Sequence, residues 1–164
     1  MAGRERRGER GQVAVYAVLL FPLLMLVLAL VLAVGTLEAM RTRLRAQLDM
    51  AALTATQALD VPALAAGGKP RLLPAQADAL ARQYLAANLD ATSSMLAGAP
   101  ADVAAGARVA VTNDGGLDPI TGAPDAAPTV SISISAPVRV PLLGLAGLGP
   151  VVVLDLTGSA AARS

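Results

Sequence analysis

The stretch that decides the fold is residues 11–37, GQVAVYAVLLFPLLMLVLALVLAVGTL, which contains no charged side chain. From Val13 to Leu37 it consists mainly of leucine, valine and alanine. In a helix with a rise of about 1.5 Å per residue, roughly 25 residues span about 37 Å, more than the ~30 Å hydrocarbon core of a bilayer. The sequence therefore predicts one membrane-spanning helix, in which Pro22 is the candidate position for a kink.

Two other interpretations of this run compete with a membrane anchor. A secretory signal peptide has a shorter apolar region, about 7–15 residues, followed by small residues at a cleavage site, and Ala33-Val34-Gly35 offers such residues. A buried core helix of this length belongs to a protein far larger than 164 residues. We favour the uncleaved anchor because the run is too long for the first alternative and the chain too short for the second.

Arginines flank the run on both sides and predict its orientation. Those before the run are Arg4, Arg6, Arg7 and Arg10, and those after it are Arg41, Arg43 and Arg45. Positive charge favours the cytoplasmic side of a membrane helix. The excess before the run therefore predicts a cytoplasmic N-terminus and an extracytoplasmic C-terminal domain.

The composition argues against most kinds of catalysis. The chain has no cysteine and no histidine, and its formal net charge is +1. Thiolate nucleophiles, disulfides, the commonest general base and the commonest metal ligands are therefore absent. No glycine-rich phosphate loop or nucleophile elbow is present in the sequence. We expect no enzyme activity, catalytic residue, cofactor, metal, small-molecule substrate or nucleic-acid partner.

The helical pattern continues beyond the membrane run, because no proline follows Leu37 before Pro62. Apolar residues recur at helical spacing at Met40, Leu44, Leu48, Ala51 and Ala52. The sequence therefore predicts a single helix from about Gln12 to about Leu59, partly in lipid and partly outside it.

Several residues along this predicted helix stand in a recognisable order. A basic tail precedes Gly11-Gln12-Val13-Ala14-Val15, Pro22 stands eleven positions after Gly11, Leu44 stands nine after Gly35, and Gln47-Leu48-Asp49-Met50-Ala51-Ala52-Leu53 follows. This order, over about residues 8–59, resembles the N-terminal part of Tad/Flp pilus-assembly proteins of the TadE/TadG-like group. The strand, glycine-containing turn and closing strand at the C-terminal end are loosely similar to the same group.

The resemblance marks possible processing or motif positions, none of them catalytic: Gly11, Tyr16, Pro22, Gly35 and Asp49. TadE-type pseudopilins are similar to type IV prepilins, which are cut after a glycine and carry a glutamate at the fifth position after the cut. If Gly11 is that glycine, the fifth residue is Tyr16. TadG-like relatives often lack the glutamate, although they often carry Asp and Arg where this chain has Ala33 and Thr36.

The remainder of the chain predicts a small outer domain. Residues 61–74, with three prolines and Gly67-Gly68, predict a linker, and Ala75–Leu89 predicts an amphipathic helix. Strands are expected at Arg108–Thr112, Thr129–Val140 and Val151–Ser159, the middle one with alternating apolar and polar residues. Its polar side includes Ser131, Ser133 and Ser135, and Pro137 indicates an edge or a bend.

The other segments predict loops. Residues 91–106 are loop-like, and Asn113-Asp114-Gly115-Gly116 is a strong turn signal. The stretch up to Pro128 carries Asp114, Asp118 and Asp125, which makes a calcium site conceivable. The spacing of these aspartates does not match an EF-hand loop, so we favour a solvated loop.

These patterns predict an α+β fold. A long N-terminal transmembrane helix continues into a small pilin-like domain with one further helix and a short antiparallel sheet, whose apolar face is covered by the 75–89 helix or by the upper part of the long helix. The expected divisions are a basic cytoplasmic tail (1–11), the transmembrane helix (12–37), its extramembrane extension (38–60), the linker (61–74) and the extracytoplasmic domain (75–164).

The resemblance implies a structural or assembly component of a bacterial Tad/Flp-type pilus or related secretion system. Such a protein would be a single-pass protein of the inner membrane, with lipid and other pilin-like or pilus-assembly membrane proteins as partners. The alternative is a membrane-tethered extracytoplasmic binding or sensor domain unrelated to pili. A secreted enzyme released after Gly35 is a third, disfavoured hypothesis.

Overall fold

The structure is a computed structural model that describes residues 6–162, with side chains described for 15–144 and 147–162. The first half of the predicted basic tail lies outside the described residues. The chain divides into two compact units. One comprises the N-terminal helix up to Leu37 together with Val140–Pro150, and the other comprises Glu38–Arg139 with the strand that begins at Val151.

The first helix, α1, runs from Arg6 to Ala55 and is 50 residues long. Pro22 lies inside it and does not interrupt it, although proline removes one backbone donor. The helix ends four residues before the predicted Leu59. At its end the N–H of Gln57 donates to the carbonyl of Thr54 at 3.1 Å, and this tighter turn closes the helix.

The predicted amphipathic helix is confirmed as α3, Pro74–Asp90. Its buried residues are Ala77, Ala81, Leu85 and Leu89, which recur every four positions on one face. Pro74 occupies the first turn, where a missing N–H costs no helical hydrogen bond.

Two short helices occupy segments that the sequence predicted to be irregular. In the expected linker, α2 spans Val61–Ala65, and the side chain of Asp60 caps it by accepting from the N–H of Ala63 at 3.1 Å. The prediction of a loop over residues 91–106 is wrong in part, because a 3-10 turn covers Ser93–Met95 and α4 covers Pro100–Ala105.

Helix α4 depends on a side chain from α3. Arg82 donates from Nη1 to the carbonyls of Ala104 (3.3 Å) and Ala105 (2.8 Å), and its Nε lies 3.0 Å from Asp78. The last carbonyls of a helix have no partner within the helix, and a guanidinium can satisfy them. With only six residues, α4 is too short for its hydrophobic periodicity to be visible in the sequence.

The main sheet has three antiparallel strands, which confirm the three predicted ones: β1 (Arg108–Thr112), β4 (Thr129–Arg139) and β5 (Val151–Ala161). Their order in the sheet is β1-β4-β5. Strand β4 pairs with β5 along its whole length, from Thr129 opposite Ala161 to Arg139 opposite Val151. A separate two-stranded sheet, β2 (Gly116–Leu117) with β3 (Pro124–Asp125), lies within the predicted loop between β1 and β4.

Pro137 lies in the central strand, at a place where that strand has lost one neighbour. Strand β1 pairs with β4 only from Thr129 to Ser133. Beyond that point the carbonyl of Pro137 accepts from the N–H of Ala97 at 2.8 Å. The missing N–H of Pro137 therefore breaks no ladder bond to β1, which is why an interior strand tolerates a proline here.

The core of the second unit lies between helices and one face of the sheet. From α1 it contains Met40, Leu44, Leu48, Ala51, Ala52 and Ala55, and from β4 it contains Val130, Ile132, Ile134, Ala136 and Val138. Helix α3 lies against β1, and Gln47 of α1 donates to the carbonyl of Asn88 in α3 at 3.2 Å. Both helices that the sequence offered as alternative covers therefore contribute to this core.

The turn residue Asn113 also holds the segment before α3. Its Oδ1 accepts from the N–H of Leu72 at 2.7 Å, and its Nδ2 donates to the carbonyl of Leu72 at 3.0 Å. Leu72 is 2% exposed, so these backbone groups are shielded from water. The side-chain amide thus takes the place of a neighbouring strand.

We expect Asn113→Ala to lower the free energy of unfolding by about 1–3 kcal/mol, because it leaves a buried N–H and a buried carbonyl unpaired. Asn113→Asp keeps the acceptor and loses the donor, so its effect should be intermediate. Thermal unfolding of the full chain in detergent, followed by circular dichroism, measures the stability of both variants.

The matched control is Asp114→Ala, at the neighbouring position. Asp114 forms only an exposed ion pair with Arg71, at 3.5 Å. Such pairs contribute about 0–1 kcal/mol. Equal losses in the Asn113→Ala and Asp114→Ala variants would contradict the role of the Asn113 amide.

Candidate functional site

The exposed apolar part of α1 is the candidate functional surface of the described chain. Large apolar side chains that are at least 41% exposed occur at Val15, Tyr16, Val18, Leu19, Leu20, Phe21, Leu23, Leu24, Met25, Leu26, Val27, Leu28, Leu30, Val31, Leu32 and Val34. They occupy all sides of the helix. Among the described residues this is the one helix long and apolar enough to cross a membrane, and its most apolar stretch is only 6% buried.

A shallow groove interrupts this surface beside Pro22. It is lined by Ala17, Leu20, Phe21, Leu23, Leu24 and Val27. These residues recur at intervals of three and four along α1, so they form one face of the helix. The lining is almost wholly apolar, which suits a lipid chain or another apolar helix and offers no group for chemistry.

The predicted motif positions follow one another along α1 and do not converge on one place. Gly11 lies within the helix, but the side chains around it are outside those that the structure describes. The side chain of Tyr16 is 55% exposed. Gly35 lies on an open part of the helix, where a Cβ built on it would meet nothing within 4 Å in the described chain.

Asp49, another motif position, makes a tertiary contact. It packs against Gly158 in the middle of β5: a Cβ built on Gly158 would lie 2.7 Å from Asp49 Oδ1 and 3.0 Å from Asp49 N. The same Cβ would lie 2.8 Å from the Cβ of Leu48. Real Cβ atoms do not approach so closely, so only glycine lets the helix and the strand meet here.

Sequence reasoning singled out Asp49 but missed its partner Gly158. A glycine inside a strand weakens the strand and often marks a close approach by another backbone, so the signal was present at Gly158. What the sequence lacks is the identity of the approaching element. Strand pairing places Gly158, in the edge strand β5, opposite Ile132 of the central strand β4, and α1 covers it there.

The predicted solvated loop contains a buried carboxylate, which corrects that prediction. Asp118 is 3% exposed and accepts hydrogen bonds from the N–H of Ile120 (2.7 Å) and from the N–H (3.2 Å) and hydroxyl (2.7 Å) of Thr121. It also accepts from the hydroxyl of Ser131. The loop therefore folds over the sheet, held by an aspartate turn that links it to β4.

The serines of β4 consequently differ from one another. Ser131 lies on the predicted polar side of the sheet, where it is 2% exposed and belongs to the Asp118 network. Ser135 is exposed and donates to Asp155 Oδ1 of β5 at 2.5 Å. The polar side of the sheet is thus covered at the end next to the loop and open at the other.

Two opposing effects act on the pKa of Asp118. Burial desolvates the carboxylate and by itself raises the pKa, whereas the hydrogen bonds from Ser131, Ile120 and Thr121 favour the ionised form. Together the hydrogen bonds prevail, and the pKa of Asp118 is lower than that of an ordinary aspartate. The carboxylate is therefore a fully hydrogen-bonded structural anion.

The aspartates do not assemble a metal centre within the described chain. No group of three or more carboxylates converges there. The oxygens of Asp118 accept hydrogen bonds from Ser131, Thr121 and backbone N–H groups. Such donors stabilise an anion, whereas a calcium ion needs oxygen ligands around it.

Comparison of the chain with protein-family models, curated proteins and solved structures gives no match. The resemblance to a pilus-assembly group therefore depends on the order of residues along α1, together with the loose similarity of the C-terminal strands and turn. Of those residues, Asp49 has a defined tertiary contact, and Tyr16, Pro22 and Gly35 lie in the exposed apolar part.

We expect Gly158→Ala to lower the free energy of unfolding by about 1–3 kcal/mol, because the added methyl meets helix atoms that cannot move aside. The clashing Cβ of Leu48 and backbone N of Asp49 lie within α1, so they can move only if the helix itself shifts. The measurement is denaturant unfolding of the full chain in detergent, followed by circular dichroism.

Gly98→Ala is the matched control, since a Cβ there would make only an ordinary contact of 3.6 Å with Pro137 Cγ. It should change stability far less than Gly158→Ala. If both variants were equally stable, the close contact between α1 and β5 would be refuted.

The Asp118 network should make the domain acid-sensitive. Since the pKa of Asp118 is lower in the folded than in the unfolded chain, its contribution is fully present above about pH 4 and is lost as pH falls through the lower folded value. Asp118→Asn should destabilise the chain by about 1–3 kcal/mol at neutral pH, with the difference from the wild type shrinking toward pH 3.

Melting temperatures of the two proteins between pH 7 and about pH 3 test this dependence. Asp114→Asn is the control, because that side chain is 82% exposed and makes no comparable network. A difference between the wild type and Asp118→Asn that stays constant over this range would contradict an ionised Asp118.

Proposed function

We propose that the protein is a structural or assembly component of a bacterial Tad/Flp-type pilus or a related secretion system. It is a TadE/TadG-like minor pseudopilin that is held in the inner membrane as a single-pass protein. Its N-terminus is cytoplasmic, and its α+β domain is pilin-like and extracytoplasmic. The exposed apolar half of α1 is the observation that carries this proposal.

Water cannot be the solvent of that half of the helix. Apolar side chains on all sides, from Val15 to Val34, would expose a continuous hydrophobic surface far larger than soluble monomers present. The 23 residues from 15 to 37 span about 35 Å as a helix, enough for the ~30 Å bilayer core. Lipid chains can cover this apolar surface without contact from another protein.

The second half of the same helix supports the pseudopilin assignment. Beyond Leu37, α1 becomes one-sided, with Leu44 and Leu48 fully buried in the domain core. The Asp49 that matches the family's motif lies against Gly158. One continuous helix that is first a membrane segment and then the spine of an α+β domain agrees with what the resemblance implies.

Helix packing within the membrane provides the link to other pilus proteins. The groove at Phe21 and the open surface at Gly35 lie on the exposed part of α1. Small residues let two membrane helices approach closely, and apolar grooves accept side chains of a neighbour. We infer that pilin-like or pilus-assembly membrane proteins pack against this part of the helix.

The function is not enzymatic in this proposal. The chain has no histidine or cysteine, and the buried carboxylate of Asp118 accepts hydrogen bonds from donors of its own domain. General acid–base and nucleophilic catalysis need a group with a free or shifted proton near a substrate cleft. The polar networks of this domain hold loops in place.

We expect the mature protein in the membrane fraction to begin at Met1 or Ala2, whether or not prepilin peptidase is present. The reason is that Tyr16 replaces the glutamate that accompanies processing in pilins. Mass spectrometry of the N-terminal peptide from strains with and without the peptidase measures this. Such a subunit stays in the membrane as an assembly factor.

Other N-termini would change the proposal in defined ways. A peptidase-dependent start at Gln12, lost in Gly11→Val but kept in Gly8→Val, would place the protein in the filament. A start at Thr36 would contradict the anchor. Normal surface pili in a strain that lacks the gene would contradict the pilus role and favour a membrane-tethered binding or sensor domain.

A further inference from the structure

The connection between β4 and β5, Val140–Pro150, is unusually apolar for a surface turn. Between Arg139 and Asp155 the chain carries no charged residue. Residues Pro141–Ala146 form a 3-10 helix, which ends at Gly147 with φ of 74°. Since side-chain-bearing residues rarely adopt that φ, the glycine gives the connection a defined shape.

The described apolar side chains of this connection are only partly covered by the chain itself. Leu148 is 56% exposed, and Leu142 and Leu143 are half-buried. Loops on the surface of a soluble domain normally expose polar groups to water. An apolar connection with an exposed leucine therefore indicates contact with something other than water.

This connection belongs to the same compact unit as the apolar half of α1. Within that unit one stripe of the helix is covered: Ala33 is 1% exposed, and Ala29 and Leu37 are half-buried, each four residues from Ala33. Their neighbours Leu32 and Val34 are each 53% exposed. We infer that Val140–Pro150 lies on this stripe, near the C-terminal end of the apolar run.

We propose that Val140–Pro150 is a second membrane-contacting element, which inserts Leu148 into the interfacial layer of the bilayer beside α1. The occupant of this surface is lipid, because its exposed apolar residues continue those of the helix on which it lies. This inference rests on the proposed membrane anchor and adds a site to it. The C-terminal end of the apolar run and the Val140–Pro150 connection would then lie at the same depth in the bilayer. Together they form an interfacial anchor like that of an amphipathic segment.

The second contact restricts how α1 can rotate about its own axis in the bilayer. The stripe at Ala29, Ala33 and Leu37 is taken by the connection. Other helices can therefore approach only the remaining faces, which include the groove at Phe21. The connection thus selects the face of α1 that meets a partner.

The absence of cysteine allows a direct test with single-cysteine variants of the full chain. Leu148→Cys, Leu24→Cys and Leu117→Cys are each labelled with a polarity-sensitive fluorophore and reconstituted in phosphatidylcholine and phosphatidylglycerol vesicles. Leu117 is 72% exposed on β2 and serves as the aqueous control, and Leu24 is 61% exposed within the apolar run. Aqueous iodide and lipid-attached nitroxide are the two quenchers.

The expected result is blue-shifted emission at Leu24→Cys and Leu148→Cys, with quenching by the lipid nitroxide and several-fold weaker quenching by iodide than at Leu117→Cys. Iodide quenching at Leu148→Cys with lipid quenching at Leu24→Cys would overturn this inference and leave the anchor intact. Protection of Leu148→Cys from both quenchers would overturn it too, since protein would then cover the turn. Loss of lipid quenching at Leu24→Cys would overturn the anchor and the inference together.

Discussion

The close contact between α1 and β5 at Gly158 is the constraint on which the domain depends. A side chain at that position would collide with Leu48 and with the backbone of Asp49. The contact brings the helix against the sheet, so the remaining core can be filled with small residues such as Ala51 and Ala52. In a chain with one phenylalanine, two tyrosines and no tryptophan, a close approach replaces bulky side chains as the means of dense packing.

The two halves of α1 differ in how their apolar residues are arranged around the helix. Up to Val34 its apolar residues point in every direction, whereas from Met40 onward the buried residues form one stripe. A helix surrounded by lipid needs no polar face, while a helix packed on a sheet in water needs one. The transition occurs at Leu37, where the two compact units also divide.

Polar side chains stabilise the segments that the small core cannot hold. Asn113 binds both backbone groups of Leu72, Arg82 binds the end of α4, and Asp118 ties its loop to Ser131. Each of these side chains satisfies buried or terminal backbone groups that would otherwise be unpaired. This use of carboxylate, amide and guanidinium groups is structural.

Local periodicity determined the apolar helix, α3 and the three main strands, because each contains enough turns or alternations for its buried face to be visible in the sequence. Tertiary structure decided the rest: α4 depends on Arg82 from another helix, the burial of Asp118 depends on Ser131, and the role of Gly158 depends on Asp49 far earlier in the chain. These features are contacts between residues that are distant in sequence. A local pattern of residues does not specify which distant residue will pack against it. The membrane location, the orientation and the pilus role stay predictions, since they concern a bilayer and partners outside the chain.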